Sequence, residues 1–227
     1  MYIDVNNIKL HYEVIGKGNP IILLNGNGTA TNYMKRIGKK LSANYLVYLV
    51  DRRCSGKSTK NCDLTYEETA EDIYQFISKL NIYKPMVLGH SGGGTVVLHL
   101  AYKYGKYLSK IILCSGVARY DKEFPKPAFA KLVETLPVFP GKKSYERFVK
   151  LISGAKTLSE RELNKINNPT LIVNGDRDVV SIDEAKYIAN AILNSKLLIL
   201  KKATHQSYMM KIDWYDKLKD FLESDKS

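Results

Sequence analysis

Ser91 sits in Met86-Val87-Leu88-Gly89-His90-Ser91-Gly92-Gly93-Gly94-Thr95, where a short apolar run ends in Gly-x-Ser-x-Gly and a helix-compatible run follows. Such a strand–turn–helix setting can force a serine onto a strained turn, with its hydroxyl lifted above the carboxyl edge of a sheet. Gly89 and Gly93, two residues either side, leave room for strand and helix to approach each other. A plain glycine-rich turn would have the same spelling, so the serine's helpers decide the matter.

A serine hydroxyl is a poor nucleophile until a base takes its proton, and the base needs an acid to orient it. The chain has four histidines. His11 belongs to an edge hairpin, His90 adjoins the serine but its side chain should diverge from it, and His99 points into packing two helical turns on. His205, in Lys202-Ala203-Thr204-His205-Gln206-Ser207, follows the last predicted strand and alone is free to reach the elbow, which makes it the candidate base. For the acid, Asn174-Gly175-Asp176-Arg177-Asp178-Val179-Val180 follows a strand at 170–173. Asp178 lies where that loop turns back; Asp176 is a nearer rival and Asp121 a more distant one, and any of them could be a turn aspartate. The order Ser, Asp, His is the one expected on a sheet of this kind.

The elements that must position these groups are legible from hydrophobic pattern. Ile21-Ile22-Leu23-Leu24, Tyr45-Leu46-Val47-Tyr48-Leu49-Val50, Met86-Val87-Leu88, Ile111-Ile112-Leu113-Cys114, Thr170-Leu171-Ile172-Val173 and Leu197-Leu198-Ile199-Leu200 read as strands, the fully apolar ones as strands buried on both faces. Residues 2–15 read as an antiparallel hairpin turning at Asn6-Asn7. Helices are predicted around 31–41, after a Thr65/Glu68 cap, from the elbow to about Tyr104, over 182–193 behind Ser181, and from about Tyr208 to Leu222. The alternation predicts a three-layer α/β/α sandwich with a mainly parallel sheet and ligands at the strands' carboxyl ends. Residues 117–168 break it with Pro125, Pro127, Pro137, Pro140 and short helical patterns, and are expected to form a small helical lid on a core of residues 1–116 and 169–227.

Composition excludes several classes. At 227 residues, 44% apolar and 26% charged, the chain has the balance of a globular domain with one filled core. No apolar run approaches the roughly 18 residues of a membrane helix, and Met1-Tyr2-Ile3-Asp4-Val5 lacks the features of a signal peptide. Cys54, Cys62 and Cys114 have no metal-ligand spacing, so reduced thiols and a cytoplasmic location are expected. The net charge of +12 is spread over lysines in nearly every segment; no nucleic-acid or membrane partner is expected, though the charge favours anionic substrates modestly.

From about Ile8 to Leu222 the chain resembles an α/β-hydrolase fold protein. Gly89-His90-Ser91-Gly92-Gly93 is similar to that family's nucleophile elbow, and Asp51-Arg52-Arg53-Cys54-Ser55-Gly56-Lys57-Ser58 resembles its Asp-x-Arg-Gly-x-Gly-x-Ser loop. Gly175-Asp176-Arg177-Asp178 resembles its Gly-x-x-Asp acid loop, which selects Asp178, and His205 falls where its catalytic histidine should. The resemblance implies an oxyanion hole from the backbone N–H groups of Asn27 and Gly92. Asn25-Gly26 stands where the family usually has His-Gly, which brings Asn25 into the expected substrate site, and Cys54 replaces a glycine.

The expectation is a serine hydrolase that cleaves a small ester, thioester or related acyl compound, with no metal or organic cofactor. A lyase, C–C hydrolase or perhydrolase reaction on the same triad, or a ligand receptor with a slow one, are the alternatives. Within the lid, Phe124, Phe129, Phe139 and Phe148 are expected to contribute to a short apolar acyl pocket, with Leu132, Leu136 and Leu151 beside them.

Overall fold

The computed structural model of the chain describes residues 1–120, 142–211 and 213–224. Asp121, Phe124, Phe129, Leu132, Leu136 and Phe139, among the expected site and lid residues, lie outside them.

The strands are β1 (Tyr2–Val5), β2 (Ile8–Ile15), β3 (Asn19–Leu24), β4 (Tyr45–Val50), β5 (Met86–His90), β6 (Ile111–Cys114), β7 (Thr170–Gly175) and β8 (Ser195–Leu200). They form an eight-stranded sheet in the order β1-β2-β4-β3-β5-β6-β7-β8. From β4 onward the pairings are parallel, while β1 and β2 run antiparallel at one edge. Asn6 and Asn7 both take positive φ, 42° and 60°, as a two-residue hairpin turn demands. The wholly apolar run Ile21-Ile22-Leu23-Leu24 is buried in mid-sheet; β8, at the other edge, leaves Leu197 36% exposed.

The helices are α1 (Thr31–Leu41), α2 (Tyr66–Lys79), α3 (Gly92–Tyr104), α4 (Lys142–Ser153), α5 (Glu160–Leu163), α6 (Ile182–Ala191), α7 (Ser207–Lys211) and α8 (Tyr215–Glu223). Side chains of α2, α3 and α6, such as Ile73, Val96 and Ile188, close the core on one face of the sheet. Met34 and Ile37 of α1 and Leu218 and Phe221 of α8 close it on the other. This is the α/β/α sandwich the pattern predicts. The segment between β6 and β7 contributes α4 and α5, and Leu151, Leu158 and Leu163 join the first of these cores.

One expected helix is two. The pattern from Tyr208 to Leu222 is interrupted because the Trp214 indole is buried and donates through Nε1 to the Tyr208 carbonyl at 3.0 Å. A side chain thereby takes an acceptor that a continuing helix would use.

Parallel register brings the loops together. Leu24 lies opposite Val50 and Gly89, Gly89 opposite Leu113, Cys114 opposite Val173, and Gly175 opposite Leu200. The loops that follow these level strand ends carry Asn27, Arg52, Ser91, Ser115, Asp178 and His205.

Candidate active site

Ser91 joins β5 to α3 with φ 55° and ψ −123°. A non-glycine residue held there costs about 1–3 kcal/mol, so its neighbours must hold it in place. They do so at both ends: the Ser91 N–H donates to the Cys114 carbonyl at 2.7 Å, and its carbonyl accepts from the Thr95 N–H at 3.1 Å. The flanking glycines are sterically required. A Cβ on Gly89 would lie 2.2 Å from the Gly93 carbonyl oxygen, and one on Gly93 would lie 2.4 Å from that of Leu24.

Beyond β7 and β8 the structure brings Asp178 and His205 together, with His205 Nδ1 at 2.7 Å from Asp178 Oδ1. The Asp178 side chain is fully buried and that of His205 retains 20% exposure. A carboxylate facing Nδ1 fixes the proton there and leaves the Nε2 lone pair for a hydroxyl. Among the described residues no hydrogen bond joins His205 to Ser91. The two loops are nonetheless adjacent, because the ring of His90, next to the serine, lies 4.7 Å from that of His205. Asp176 instead accepts from the Ala203 N–H at 3.2 Å and bonds the loop backbone.

Asn27 lies against the first residue of α3. A Cβ on Gly92 would sit 2.2 Å from Asn27 Oδ1, and one on Gly26 would sit 3.2 Å from the Ser91 Cβ. The loop after β3 therefore passes directly beside the serine. Gly92 opens α3, so its N–H has no acceptor within the helix.

A family model described as the alpha/beta hydrolase fold matches residues 19–161, more than half of the chain. The chain belongs to the alpha/beta hydrolase fold family. It is 26% identical to the serine hydrolase BPHL of Homo sapiens over 97% of its own length and 85% of that protein's. The 2-hydroxy-6-oxo-6-phenylhexa-2,4-dienoate hydrolase of Comamonas testosteroni is also 26% identical, over 60% of this chain and 55% of that one. Among solved structures, the enol-lactonase of Burkholderia xenovorans LB400 superposes with a TM-score of 0.83 at 23% identity, covering 98% of this chain and 99% of that one.

In this α/β hydrolase the Asp51 loop is a brace. Asp51, buried, accepts from the Thr31 N–H at 2.7 Å, the His11 ring at 2.8 Å and the Lys57 N–H at 3.0 Å. Arg53 grips the buried Asp72 through Nε at 2.6 Å and Nη2 at 2.7 Å. Cys54 holds φ 61°, a conformation that suits the glycine it replaces, with its sulfur 3.3 Å from that of Cys62.

Asn25 is fully buried, and its Nδ2 donates to the Gly26 and Thr29 carbonyls. It holds the loop after β3 from beneath. Asn174, at the end of β7, does the same for the acid loop through the Gly175 and Val180 carbonyls. Phe148 of α4 is buried and, with Leu151, Asn27, Gly28 and Arg52, lines a hollow of about 50 Å³.

Four residues beside the Asp178–His205 pair were not legible as partners. Ser115 Oγ donates to Asp178 Oδ2 at 2.6 Å and is itself bonded to the Tyr208 hydroxyl. The Val180 N–H completes the shell on Oδ1 at 2.9 Å. Burial alone would raise the Asp178 pKa, but the bonds from His205, Ser115 and Val180 hold it below the ordinary carboxylate value. His90 donates through Nε2 to the His205 carbonyl at 2.8 Å. Burial, reinforced by the neighbouring His205, lowers its pKa to about 3, so it is a neutral donor. A polar residue just past a strand's carboxyl end was the only available signal for Ser115.

Proposed function

We propose that this α/β hydrolase is a serine hydrolase of small esters, thioesters or related acyl compounds, working through an acyl-enzyme. Ser91 Oγ attacks the acyl carbon while His205 Nε2 takes its proton. The oxyanion accepts from the backbone N–H groups of Asn27 and Gly92. His205 then gives its proton to the leaving group, the acyl–Ser91 ester forms, and a water deprotonated by His205 releases the acid. Asp178 orients the ring and stabilises the imidazolium. The cap is the segment 117–168, with Phe148 against the acyl pocket.

The observation that carries this reading is the 2.7 Å contact of Asp178 with His205 Nδ1, on a loop adjoining a serine held at φ 55°. The test is labelling with a fluorophosphonate, followed by turnover of 4-nitrophenyl butyrate. Wild type should label at Ser91 and turn the ester over, and Ser91→Ala should do neither while melting as a folded protein. Retained turnover in that variant would refute the mechanism. The likeness to the Comamonas testosteroni hydrolase supports a second reading, C–C bond hydrolysis on the same three residues; labelling at Ser91 without ester turnover would favour it.

A further inference from the structure

Arg52 follows β4 on the loop beside the serine, and its side chain is unusual in being buried with almost nothing to bind. The residue is 3% exposed. Nη2 donates to Asn27 Oδ1 at 3.1 Å, while Nε and Nη1 have no partner among the described residues. The carboxylates nearest in sequence are committed elsewhere: Asp51 to His11 and two backbone N–H groups, Asp72 to Arg53. Tyr66 and Tyr120 are among its other neighbours. Tyr66, whose OH accepts from Asn27 Nδ2 at 3.0 Å, stacks on Tyr120, and Tyr120 meets the Thr95 hydroxyl in the first turn of α3. Burial lowers the guanidinium pKa to about 10, with only the weak pull of Tyr66, Tyr120 and Cys54 against it, so the group is still a cation at neutral pH.

Holding one amide oxygen does not call for a buried cation; a neutral glutamine could do it. A guanidinium carries five N–H donors in a planar fork, and Asn27 uses one. Whichever Nη2 hydrogen that is, one complete edge, Nε with Nη2 or Nη1 with Nη2, is left for a pair of oxygens. That is the geometry that binds a carboxylate in two places. Arg52 also lines, with Asn27, Gly28, Leu64 and Phe148, a hollow of about 50 Å³ beside this loop.

We propose that Arg52 is the docking residue for a carboxylate carried by the substrate, so that the compounds cleaved at Ser91 are acyl esters bearing a free acid group. This rests on the serine-hydrolase reading for the reaction but not for the binding. The carboxylate supplies the counter-charge that the described residues do not give Arg52, and the bond to Asn27 Oδ1 ties its docking to the loop that would hold the oxyanion. The neighbouring Arg53, with its own carboxylate in place, has no such capacity.

The test is calorimetric titration of Ser91→Ala protein, which needs no turnover. Monoethyl glutarate places the carboxylate on the acyl side, O-acetylglycolate places it on the alcohol side, and diethyl glutarate is the neutral control. At least one of the two acids should bind more tightly than the control. That preference should weaken about 10- to 100-fold in the Ser91→Ala, Arg52→Gln protein, since a bond to a charged group is lost while glutamine can still serve Asn27. Arg52→Lys, keeping the charge but not the fork, should retain part of it. Equal binding of all three ligands to the Ser91→Ala protein would overturn the proposal, as would an unchanged acid preference in a folded Arg52→Gln variant. Failure of Ser91 to react with a fluorophosphonate would count against the serine mechanism alone and leave this result to be read independently.

Discussion

The two sides of Ser91 differ in how far their polar groups are satisfied. On the base side every oxygen of Asp178 is engaged, by His205, Ser115 and the Val180 N–H, and Tyr208 backs Ser115 in turn. On the loop side Arg52 Nε and Nη1 have no partner among the described residues, one residue away from an Arg53 whose fork with Asp72 is complete. A closed network holds a group in one orientation, whereas an open one holds donors in readiness at a cost in stability. The difference separates residues that would position the proposed chemistry from residues that would choose its substrate.

The largest effect should come from breaking the closed side. Asp178→Asn should lower kcat for 4-nitrophenyl butyrate by about 10⁴-fold, the loss that follows when a triad acid no longer selects the tautomer of its histidine. Asp176→Asn should cost far less in the same assay, because Asp176 serves only the loop backbone. A reversed ranking would dismantle the base side as drawn.

Stability separates the two arginines. Arg53→Met strands a buried Asp72 and should cost about 3–5 kcal/mol in a urea melt. Arg52→Met removes a buried cation that has no counter-charge among the described residues, and its urea midpoint should be no lower than wild type. Equal destabilisation by both would show that Arg52 is paired in solution and erase the contrast.

A smaller effect tests the shell of Asp178. Ser115→Ala deletes a bond to a charged group and should cost about 1.5–3 kcal/mol near neutral pH. The sign of its pH dependence follows from the depressed pKa of Asp178. Ionised Asp178 stabilises the fold above its ordinary value of 3.8, and that contribution is lost as the pH falls through the lower folded value. The gap in melting temperature between wild type and Ser115→Ala should therefore be widest above pH 4 and narrow as the solution is acidified. A gap that widens in acid would place the proton elsewhere.

The smallest effect concerns acyl length. Each methylene that is properly buried adds about 0.8 kcal/mol, so a deep tunnel would show kcat/KM climbing with chain length. If the 117–168 segment forms the short cap proposed above, acetyl to butyryl esters should be preferred and the series should be flat or falling beyond them. A steady rise from butyrate to laurate below the micelle limit would replace this picture with a deep apolar site.

Much of this molecule is written locally. Continuous apolar runs identified the buried strands, and glycines two residues either side of Ser91 announced an approach too close for a Cβ, because both depend on residue type and short spacing alone. The choice of His205 needed only the knowledge that parallel strands align their carboxyl ends. What tertiary structure decided was the partner of each polar group. Arg52 and Arg53 are adjacent and identical in type, yet one meets Asp72 across nineteen positions of chain and the other meets a single amide oxygen. The loop after β3 folds over Asn25 and buries its amide against Thr29, which its neighbours in sequence do not foretell. Ser115, Tyr208 and His90 come to the Asp178–His205 pair from separate elements, and the division of the last helix is made by a Trp214 ring that finds the Tyr208 carbonyl. Residue type says what a side chain can bond; only the packing of distant segments says which of those bonds are filled and which are left for a ligand.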